Sequence, residues 1–318
     1  SSFKGKGDIL PFSQTMKAIE VFDNRDAVVG ESTIDINSCK GVDLLSFIDI
    51  DSLTTYCSAS AVLPLVYRSI NVTNCDLGNL FYAVFGNSGG CANSSSTAWA
   101  SRQWGVGTFN VSYNTMIFDP DTHYNVTNSF IEFSGEKIVF DGNTISNRVQ
   151  FASTTLIKFT GGAKNYSICN NNIEDCYGAT LTQPLTLLDV DISSLYPHLD
   201  IKGNNLVHYK NAAMLGITNG FLFSSYSASG DDIVSFPALN FSTNTLKLHN
   251  ANFLFLARQD DGSKPESYGW SVVTCTGNTF HNTISSVGGF AQYGNDLQYT
   301  NKAAVANCNY LGRGQAAN

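Results

Sequence analysis

The chain has 318 residues, of which 43% are hydrophobic and only 14% are charged. This composition excludes intrinsic disorder, which requires low hydrophobicity and high charge. The formal net charge of −8 argues against a nucleic-acid partner, because nucleic acids are bound through basic surfaces. No run of eighteen uncharged apolar residues is present, so we expect no membrane insertion.

A repeat begins after the first 30 residues and continues to about residue 310. Each copy has two apolar residues separated by one residue, then two further residues, then Asn or Cys. Most copies add an apolar residue two positions later. Self-similarity at a spacing of 28 to 40 residues indicates a solenoid or an array. The anchor positions hold Asn in six copies and Cys in three: Cys39, Cys75, Asn114, Asn143, Asn171, Asn204, Asn244, Asn278 and Cys308.

The repeating unit is built from strands. Its apolar residues alternate with a period of two, which indicates a strand with one buried face. Each copy also has an apolar run before this strand and a short run after the anchor, so three strands per copy are predicted. The first runs are 47–50, 81–85, 130–133, 156–159, 187–190, 221–223 and 253–256. The pattern is typical of a three-sided parallel β-coil with about nine coils.

Asn is suited to the corner that follows the second strand of each coil. A sharp turn needs a residue near the left-handed α region, and Asn tolerates this conformation better than other residues with a side chain. Its side-chain amide can also bond the amides of the coils above and below. We therefore expect the anchor residues to form a ladder along one corner.

The ends of a solenoid leave unpaired strand edges that must be covered. Within an N-terminal segment of residues 1–30, we expect residues 8–22 to form a short helix that caps the first coil. The β-helix itself is predicted over residues 31–310. The C-terminal tail, 311–318, is too short and polar to cap the last coil, so partner chains or a further domain are expected there.

Three segments carry a family resemblance: FDGNTISN (140–147), IKGNNLVHY (201–209) and CTGNTFHN (275–282). They resemble the coil signature of the right-handed parallel β-helix family, the pectate-lyase-like fold. The resemblance implies an all-β, right-handed parallel β-helix over about residues 30–310. It does not specify an activity, because many activities share this scaffold. The motifs of polygalacturonases and pectate lyases are absent apart from two Asp-Asp pairs, so a plant-wall pectinase is disfavoured.

Those Asp-Asp pairs supply the preferred catalytic carboxylates. Asp231 and Asp232 lie in one long loop, and Asp260 and Asp261 lie in the next. Both loops leave neighbouring coils on the same side, so their carboxylates can approach each other for general acid–base cleavage of a glycosidic bond. The alternative is that these residues only form turns. Candidate sugar-binding residues lie beside these aspartates: Arg258, Tyr226, Tyr268 and Trp270. Three more lie in a third loop: Trp99, Arg102 and Trp104. For Trp99 and Trp104 the alternative is packing within that loop.

A second candidate pair comes from the first strands. When these strands are aligned, Glu132, Lys158 and Asp189 fall at one outward position of adjacent coils. By the strand spacing, Glu132 and Asp189 lie about 9.6 Å apart between backbones. Inverting glycosidases hold two carboxyl groups roughly 6.5–9.5 Å apart. Lys158 between them would keep one carboxyl ionised and contact an acidic sugar. The alternative is a solvated face with ordinary ion pairs.

The cysteines and histidines predict no metal site and no cofactor. The eight cysteines fit no zinc-ligand spacing, and the five histidines show no ligand spacing either. Most of the cysteines are expected to be buried free thiols. A disulfide between Cys57 and Cys91 is an alternative for those two.

Within the β-helix family, long coils rich in Asn, Gly and Ser with little Lys are typical of bacteriophage tailspikes and virion-associated polysaccharide depolymerases. This resemblance implies a homotrimer on the virion tail or in the extracellular space. Its partner would be a bacterial surface polysaccharide, a capsule or an O-antigen, which it binds and cleaves as an endo-glycosidase. Two alternatives stay open: a non-catalytic receptor-binding or adhesin β-helix, and a secreted polysaccharide lyase.

Overall fold

A computed structural model describes most of the predicted solenoid. Over the described residues the chain is all-β, with thirty strands and no helix, so no helix there is long and apolar enough to cross a membrane. The described ranges are 2–4, 17–22, 32–44, 46–51, 56–57, 67–78, 80, 82–86, 102–118, 130–147, 155–159, 163–175, 186–191, 197–209, 221–226, 238–249, 252–256, 272–282, 291–293, 303–306 and 309–312.

The strands form three large sheets, named here in the order in which each repeat visits them. Sheet I contains β2 (Lys17–Phe22), β5 (Ser46–Asp51), β9 (Tyr82–Gly86), β13 (Ile131–Phe133), β16 (Thr155–Phe159), β19 (Thr186–Asp191), β22 (Phe221–Tyr226), β25 (Asn252–Leu256) and β28 (Ala291–Tyr293). Sheet II contains β3 (Ser32–Asn37), β7 (Tyr67–Thr73), β11 (Val106–Ser112), β14 (Lys137–Asp141), β17 (Asn165–Cys169), β20 (His198–Lys202), β23 (Ala238–Ser242), β26 (Val272–Thr276) and β29 (Ala303–Ala306).

Every strand of sheet III except the first begins directly after an anchor residue. The sheet contains β1 (Ser2–Lys4), β4 (Lys40–Val42), β8 (Asp76–Gly78), β12 (Thr115–Phe118), β15 (Thr144–Asn147), β18 (Asn172–Asp175), β21 (Asn205–Tyr209), β24 (Thr245–His249), β27 (Thr279–Asn282) and β30 (Asn309–Gly312). A separate antiparallel pair joins β6 (Tyr56–Cys57) to β10 (Arg102–Gln103).

Within each large sheet, a strand pairs in parallel with the equivalent strand of the next repeat. In sheet II, for example, Phe109 pairs with Ile138, which pairs in turn with Tyr166. Each first strand predicted from the apolar runs is present. The all-β class is therefore confirmed, and three stacked parallel sheets are compatible with a parallel β-helix solenoid.

A single hydrophobic cluster receives inward residues from all three sheets. Phe133 of sheet I stacks on Phe109 of sheet II with ring centroids 4.3 Å apart, and it meets Phe159 edge-on at 5.0 Å. Ile145 of sheet III is 1% exposed and belongs to the same cluster. The period-two alternation of the sequence thus supplies the inward face of each strand.

The anchor asparagines form the predicted ladder. The backbone N–H and the side-chain Nδ2 of Asn143 both donate to Oδ1 of Asn171, at 2.9 and 3.0 Å. Nδ2 of Asn143 also donates to the carbonyl of Val111 at 2.8 Å. All six anchor asparagines are at most 2% exposed, and each amide oxygen accepts from the preceding repeat: Asn114, Asn143, Asn171, Asn204, Asn244 and Asn278.

The left-handed residue at the corner is not the anchor, which corrects the sequence-based expectation. Positive φ falls on the residue just before it, as at Tyr113 before Asn114, with φ of 59°. The anchor instead points its side chain inward, where the buried amide completes the ladder. One corner therefore needs two adjacent residues with different tasks, a left-handed residue outside and a hydrogen-bonding residue inside.

Along this corner, residues with a side chain alternate with glycines at the left-handed position. A methyl group on Gly142 would lie 2.6 Å from a ring carbon of Tyr113, so the Tyr113 ring covers that glycine. Asn170 covers Gly203 in the same way, with its amide oxygen 2.6 Å from the corresponding methyl position. The six successive residues are Tyr113, Gly142, Asn170, Gly203, Thr243 and Gly277.

The N-terminal segment differs from its prediction in part. Residues 17–22, where the end of a capping helix is predicted, form strand β2 of sheet I, paired with β5. Ala18 and Ile19 pack against the core, so their burial in a sheet replaces the predicted helix. Residues 8–16 lie outside the described residues.

The described cysteines for which side chains are placed carry free thiols. Cys75 and Cys275 are buried, while Cys39 and Cys169 are partly exposed. The backbone N–H of Cys75 donates to Oδ1 of Asn114 at 2.9 Å, so this cysteine ends the asparagine ladder. Cys91 lies outside the described residues, and its pairing with Cys57 stays a prediction.

Replacement of one ladder residue tests this account of stability. We expect Asn171→Ala to lower the free energy of unfolding by about 3 kcal/mol or more, because the N–H of Asn143 and the carbonyl of Phe140 lose their partners. Equilibrium urea unfolding measures this loss. The matched control is Asn172→Ala, which removes an exposed bond to Asn205 and should change stability by less than about 0.5 kcal/mol. Equal effects of the two variants would contradict a stabilising ladder.

Candidate functional site

The predicted charged row of sheet I is present in the backbone register. Glu132 pairs with Lys158, and Lys158 pairs with Asp189. Leu188 and Val190, the neighbours of Asp189 along β19, are buried in the core. The three residues therefore share one row of adjacent strands, and Glu132 and Asp189 are two strands apart.

Within this row, Lys158 and Glu132 form a partly exposed ion pair. Nζ of Lys158 lies 3.9 Å from Oε1 of Glu132, and 42% of the Lys158 side chain is exposed. The same row begins with Glu20 and Asp49 and is then interrupted by Phe85, which pairs with Glu132. The carboxylate of Glu132 and the ammonium group of Lys158 thus lie on the outer face of sheet I.

The connections from sheet I to sheet II are short beside this row. Only residues 134–136 separate β13 from β14, and residues 160–164 separate β16 from β17. On this short edge, Lys164 pairs with Glu136 at 2.8 Å. Charged groups therefore continue from sheet I to sheet II across the same repeats.

Trp104 lies under this edge and does not present a stacking face. Its side chain is 5% exposed, and Nζ of Lys164 lies 5.1 Å above its ring. A ring that is buried and covered by a cation cannot also stack on a sugar. The packing alternative is therefore favoured over the predicted sugar contact for this residue.

The outer face of sheet II carries a polar cluster that the sequence analysis missed. Ser167 donates its hydroxyl to Asp141 at 3.1 Å, and the N–H of Cys169 donates to the same carboxylate at 2.8 Å. In the next repeat, Lys202 pairs with Asp200 at 2.8 Å, and Nε2 of His198 lies 3.6 Å from the same carboxylate. Only an alignment of the second strands, with Asp141, Cys169 and Lys202 at one position, would have indicated it.

Burial sets the protonation tendencies in this cluster. It raises the pKa of the Asp141 carboxyl, and the hydrogen bonds from Cys169 and Ser167 oppose this increase only in part. Burial also raises the pKa of the Cys169 thiol, so this cysteine is a weak nucleophile. The cluster can therefore bind hydroxyl groups through the carboxyl of Asp141, with the ammonium group of Lys202 and the imidazole of His198 on the adjacent strand.

Most of the predicted loop residues cannot be located relative to these rows. The structure gives only backbone positions for Tyr226, which pairs with Asp191, and for Arg102, which pairs with Cys57. Among the described residues, no group of three or more His, Cys, Asp or Glu side chains is arranged to hold a metal ion. The predicted site residues that lie outside the described residues are Asp231, Asp232, Asp260, Asp261, Arg258, Tyr268, Trp270 and Trp99.

The raised pKa of Asp141 makes the stability of the protein depend on pH. Because the folded state favours the protonated carboxyl, the stability that Asp141 contributes is present at acidic pH and is lost as pH rises through its folded pKa. The variant Asp141→Asn keeps an acceptor for the N–H of Cys169 but does not ionise. We expect the unfolding free energy of the variant, minus that of the original protein, to be larger at about pH 7 than at about pH 3.5. Urea unfolding at both pH values measures this difference, and a decrease would contradict the assignment.

Comparison with known proteins assigns no family to the chain. No family model matches it, no match is found among the curated proteins, and no solved structure matches. The functional argument therefore depends on the residues and the geometry described above. The likeness to the parallel β-helix family depends on the coil signature and the three-sheet architecture.

Proposed function

We propose that the protein binds a bacterial surface polysaccharide, a capsule or an O-antigen, and cleaves it as an endo-glycosidase. One observation carries the proposal: Glu132 and Asp189 lie in one row of paired backbone positions, two strands apart. By the strand spacing, their backbones are about 9.6 Å apart. This separation, with some freedom of the two side chains, suits an inverting mechanism, which needs roughly 6.5–9.5 Å between carboxyl groups.

The proposed roles follow from the charge beside each carboxylate. The ammonium group of Lys158 lies 3.9 Å from Glu132, which suits an ionised base that activates water. Asp189 then acts as the acid that protonates the leaving oxygen. Lys158 also offers a cation to an acidic sugar bound across the row.

The rest of the proposal concerns the architecture and its setting. We infer a right-handed winding, because connections between parallel strands of one sheet are right-handed in about 98% of known cases. We also infer about nine coils of three strands from the spacing of the repeat. A homotrimeric tailspike on a virion is the setting that the family resemblance implies. The loop residues Asp231, Asp232, Asp260 and Asp261, which the sequence analysis preferred, are the alternative catalytic set here.

A non-catalytic receptor-binding protein is the second candidate function. The observation that favours it is the same Lys158–Glu132 ion pair, because partly exposed ion pairs are common on surfaces that only bind. A binding protein needs the row for contacts and not for proton transfer. Removal of one carboxylate should therefore abolish cleavage of the polysaccharide if the protein is an enzyme, and should affect only binding if it is a receptor-binding protein.

Cleavage assays with matched variants test the proposal. Purified capsule and O-antigen from a panel of bacterial hosts are incubated with the protein, and chain length is followed by size-exclusion chromatography. We expect Glu132→Gln and Asp189→Asn each to reduce the cleavage rate by about 10²-fold or more, since each removes one proton-transfer group. The control Glu174→Gln, an exposed carboxylate on sheet III, should leave the rate unchanged.

The same assay separates the alternatives. Binding without shortening for every host would exclude the enzyme and support the receptor-binding function. Unsaturated sugar ends, detected by their ultraviolet absorbance, would identify a lyase. If the row variants cleave normally while substitution of the four loop aspartates abolishes cleavage, the catalytic pair lies in the loops and the assignment to Glu132 and Asp189 is wrong.

A further inference from the structure

One exposed aromatic ring lies on the corner between sheets II and III. Tyr113 is 65% exposed and has a φ of 59°, in the left-handed region. Among the described residues, the only other large hydrophobic side chain classed as exposed is Ile117, which is 40% exposed. Tyr113 is thus an aromatic ring that the fold keeps in solvent on a strained backbone.

Folding alone gives no reason for a tyrosine at this position. A bulky residue in the left-handed region raises the free energy of the folded state, whereas Gly and Asn adopt that conformation more easily. Equivalent corners in other repeats use glycine, asparagine, Ser38 or Thr243, and none of them carries an aromatic side chain. An unfavoured backbone conformation that persists is a reason to look for a function.

Covering the glycine below does not require an aromatic ring either. The Tyr113 ring lies over Gly142, but the amide of Asn170 lies over Gly203 in the same way. Asparagine could therefore fill the Tyr113 position, keep the cover and relieve the backbone. The property that only tyrosine supplies there is a flat, exposed, apolar face.

The surroundings of the ring are polar and include one ion pair on the side of the preceding repeats. Asp76 pairs with Thr115 on sheet III, and its carboxylate lies 3.3 Å from Nζ of Lys40. Asn74 precedes it by one repeat and Asn170 follows by two, and both are exposed. Thr115 and Thr144 pair with each other on sheet III and are exposed as well. Rows of this kind are spaced by about 4.8 Å, so hydroxyl and amide groups lie on both sides of the ring.

The corner is also open along the repeats that hold these residues. Only Tyr113 and Asn114 lie between β11 and β12, and only Gly142 and Asn143 lie between β14 and β15. No insertion leaves the corner there. Two exposed side chains four residues apart, Tyr113 and Ile117, supply too little apolar surface for a stable protein interface, which buries roughly 800 Å² per partner.

We propose that Tyr113 is the stacking platform of a carbohydrate-binding site at the corner between sheets II and III. The apolar face of a pyranose ring packs on the phenol ring, and its hydroxyl groups bond the side chains of Asn74, Thr115, Thr144 and Asn170. The site takes a stretch of polysaccharide rich in hydroxyl groups, since hydroxyl and amide side chains line it beside the Lys40–Asp76 ion pair. The inference rests on the proposed function for the kind of ligand and does not require cleavage.

The test uses a substitution that removes the ring without straining the fold. Binding of Tyr113→Asn to immobilised capsule and O-antigen of the host panel, and to neutral gluco- and manno-oligosaccharides, is measured by biolayer interferometry. We expect about tenfold weaker binding, because one stacking contact is lost. The midpoint of thermal unfolding should stay the same or rise, because Asn tolerates the left-handed backbone.

Two further variants serve as controls. Tyr113→Phe keeps the ring and should bind within about twofold of the original protein, since the stacking face is unchanged. Thr243→Asn relieves a similar left-handed residue, with φ of 55°, in a distant repeat. It should raise the unfolding midpoint and leave binding unchanged, so that a change of stability is separated from a change of binding.

Each result either supports or overturns the site. Normal binding by Tyr113→Asn, a lowered unfolding midpoint, or no binding of any of these glycans by the original protein would overturn it. Retained Tyr113-dependent binding to host cells stripped of polysaccharide would overturn it in favour of a protein partner. Loss of binding with normal stability supports the site, and it does so even if the protein cleaves nothing and the enzyme proposal fails.

Discussion

The hydrogen-bonded ladder of buried asparagines is the constraint on which the rest of the molecule depends. The side-chain amide of each ladder asparagine donates to a backbone carbonyl of the preceding repeat. Its oxygen accepts from the backbone N–H and the side-chain amide of the preceding asparagine, so these buried polar groups satisfy one another at every repeat. A shift of one residue would leave these groups unpaired and would turn the outward face of a strand inward. The ladder therefore fixes the register of sheets II and III, and with it the surface rows.

Fixed register converts residues distant in sequence into neighbours on the surface. Glu132 and Lys158 meet on sheet I, and Asp141 and Ser167 meet on sheet II, only because equivalent strands pair position by position. Both groups belong to the repeats between residues 130 and 202, where the connections from sheet I to sheet II are short. A polymer bound across that edge can contact both sheets, which is why a long-chain ligand suits the surface better than a small molecule.

The sequence predicted the strands and the ladder well, because both depend on local periodicity and on one repeated residue. It misplaced the left-handed residue, because Asn suits both a left-handed turn and a buried ladder, and the repeat alone does not separate the two tasks. It also predicted a helix that includes residues 17–22, where pairing with β5 makes a strand. The cluster around Asp141 and the burial of Trp104 depend on contacts between residues of different repeats. The sequence pattern of one repeat does not indicate such contacts.

Stability and recognition are divided between the two sides of each strand. The inward phenylalanines and the ladder supply the folding energy, so outward positions can change with little effect on the core. Outward residues that oppose folding are then the most informative about function. Tyr113 holds a strained backbone, and the carboxyl of Asp141 is desolvated. Neither is needed to build the sheets, and both face a surface rich in amide and hydroxyl groups. Both residues are therefore the outward positions at which the proposed polysaccharide binding is most directly tested.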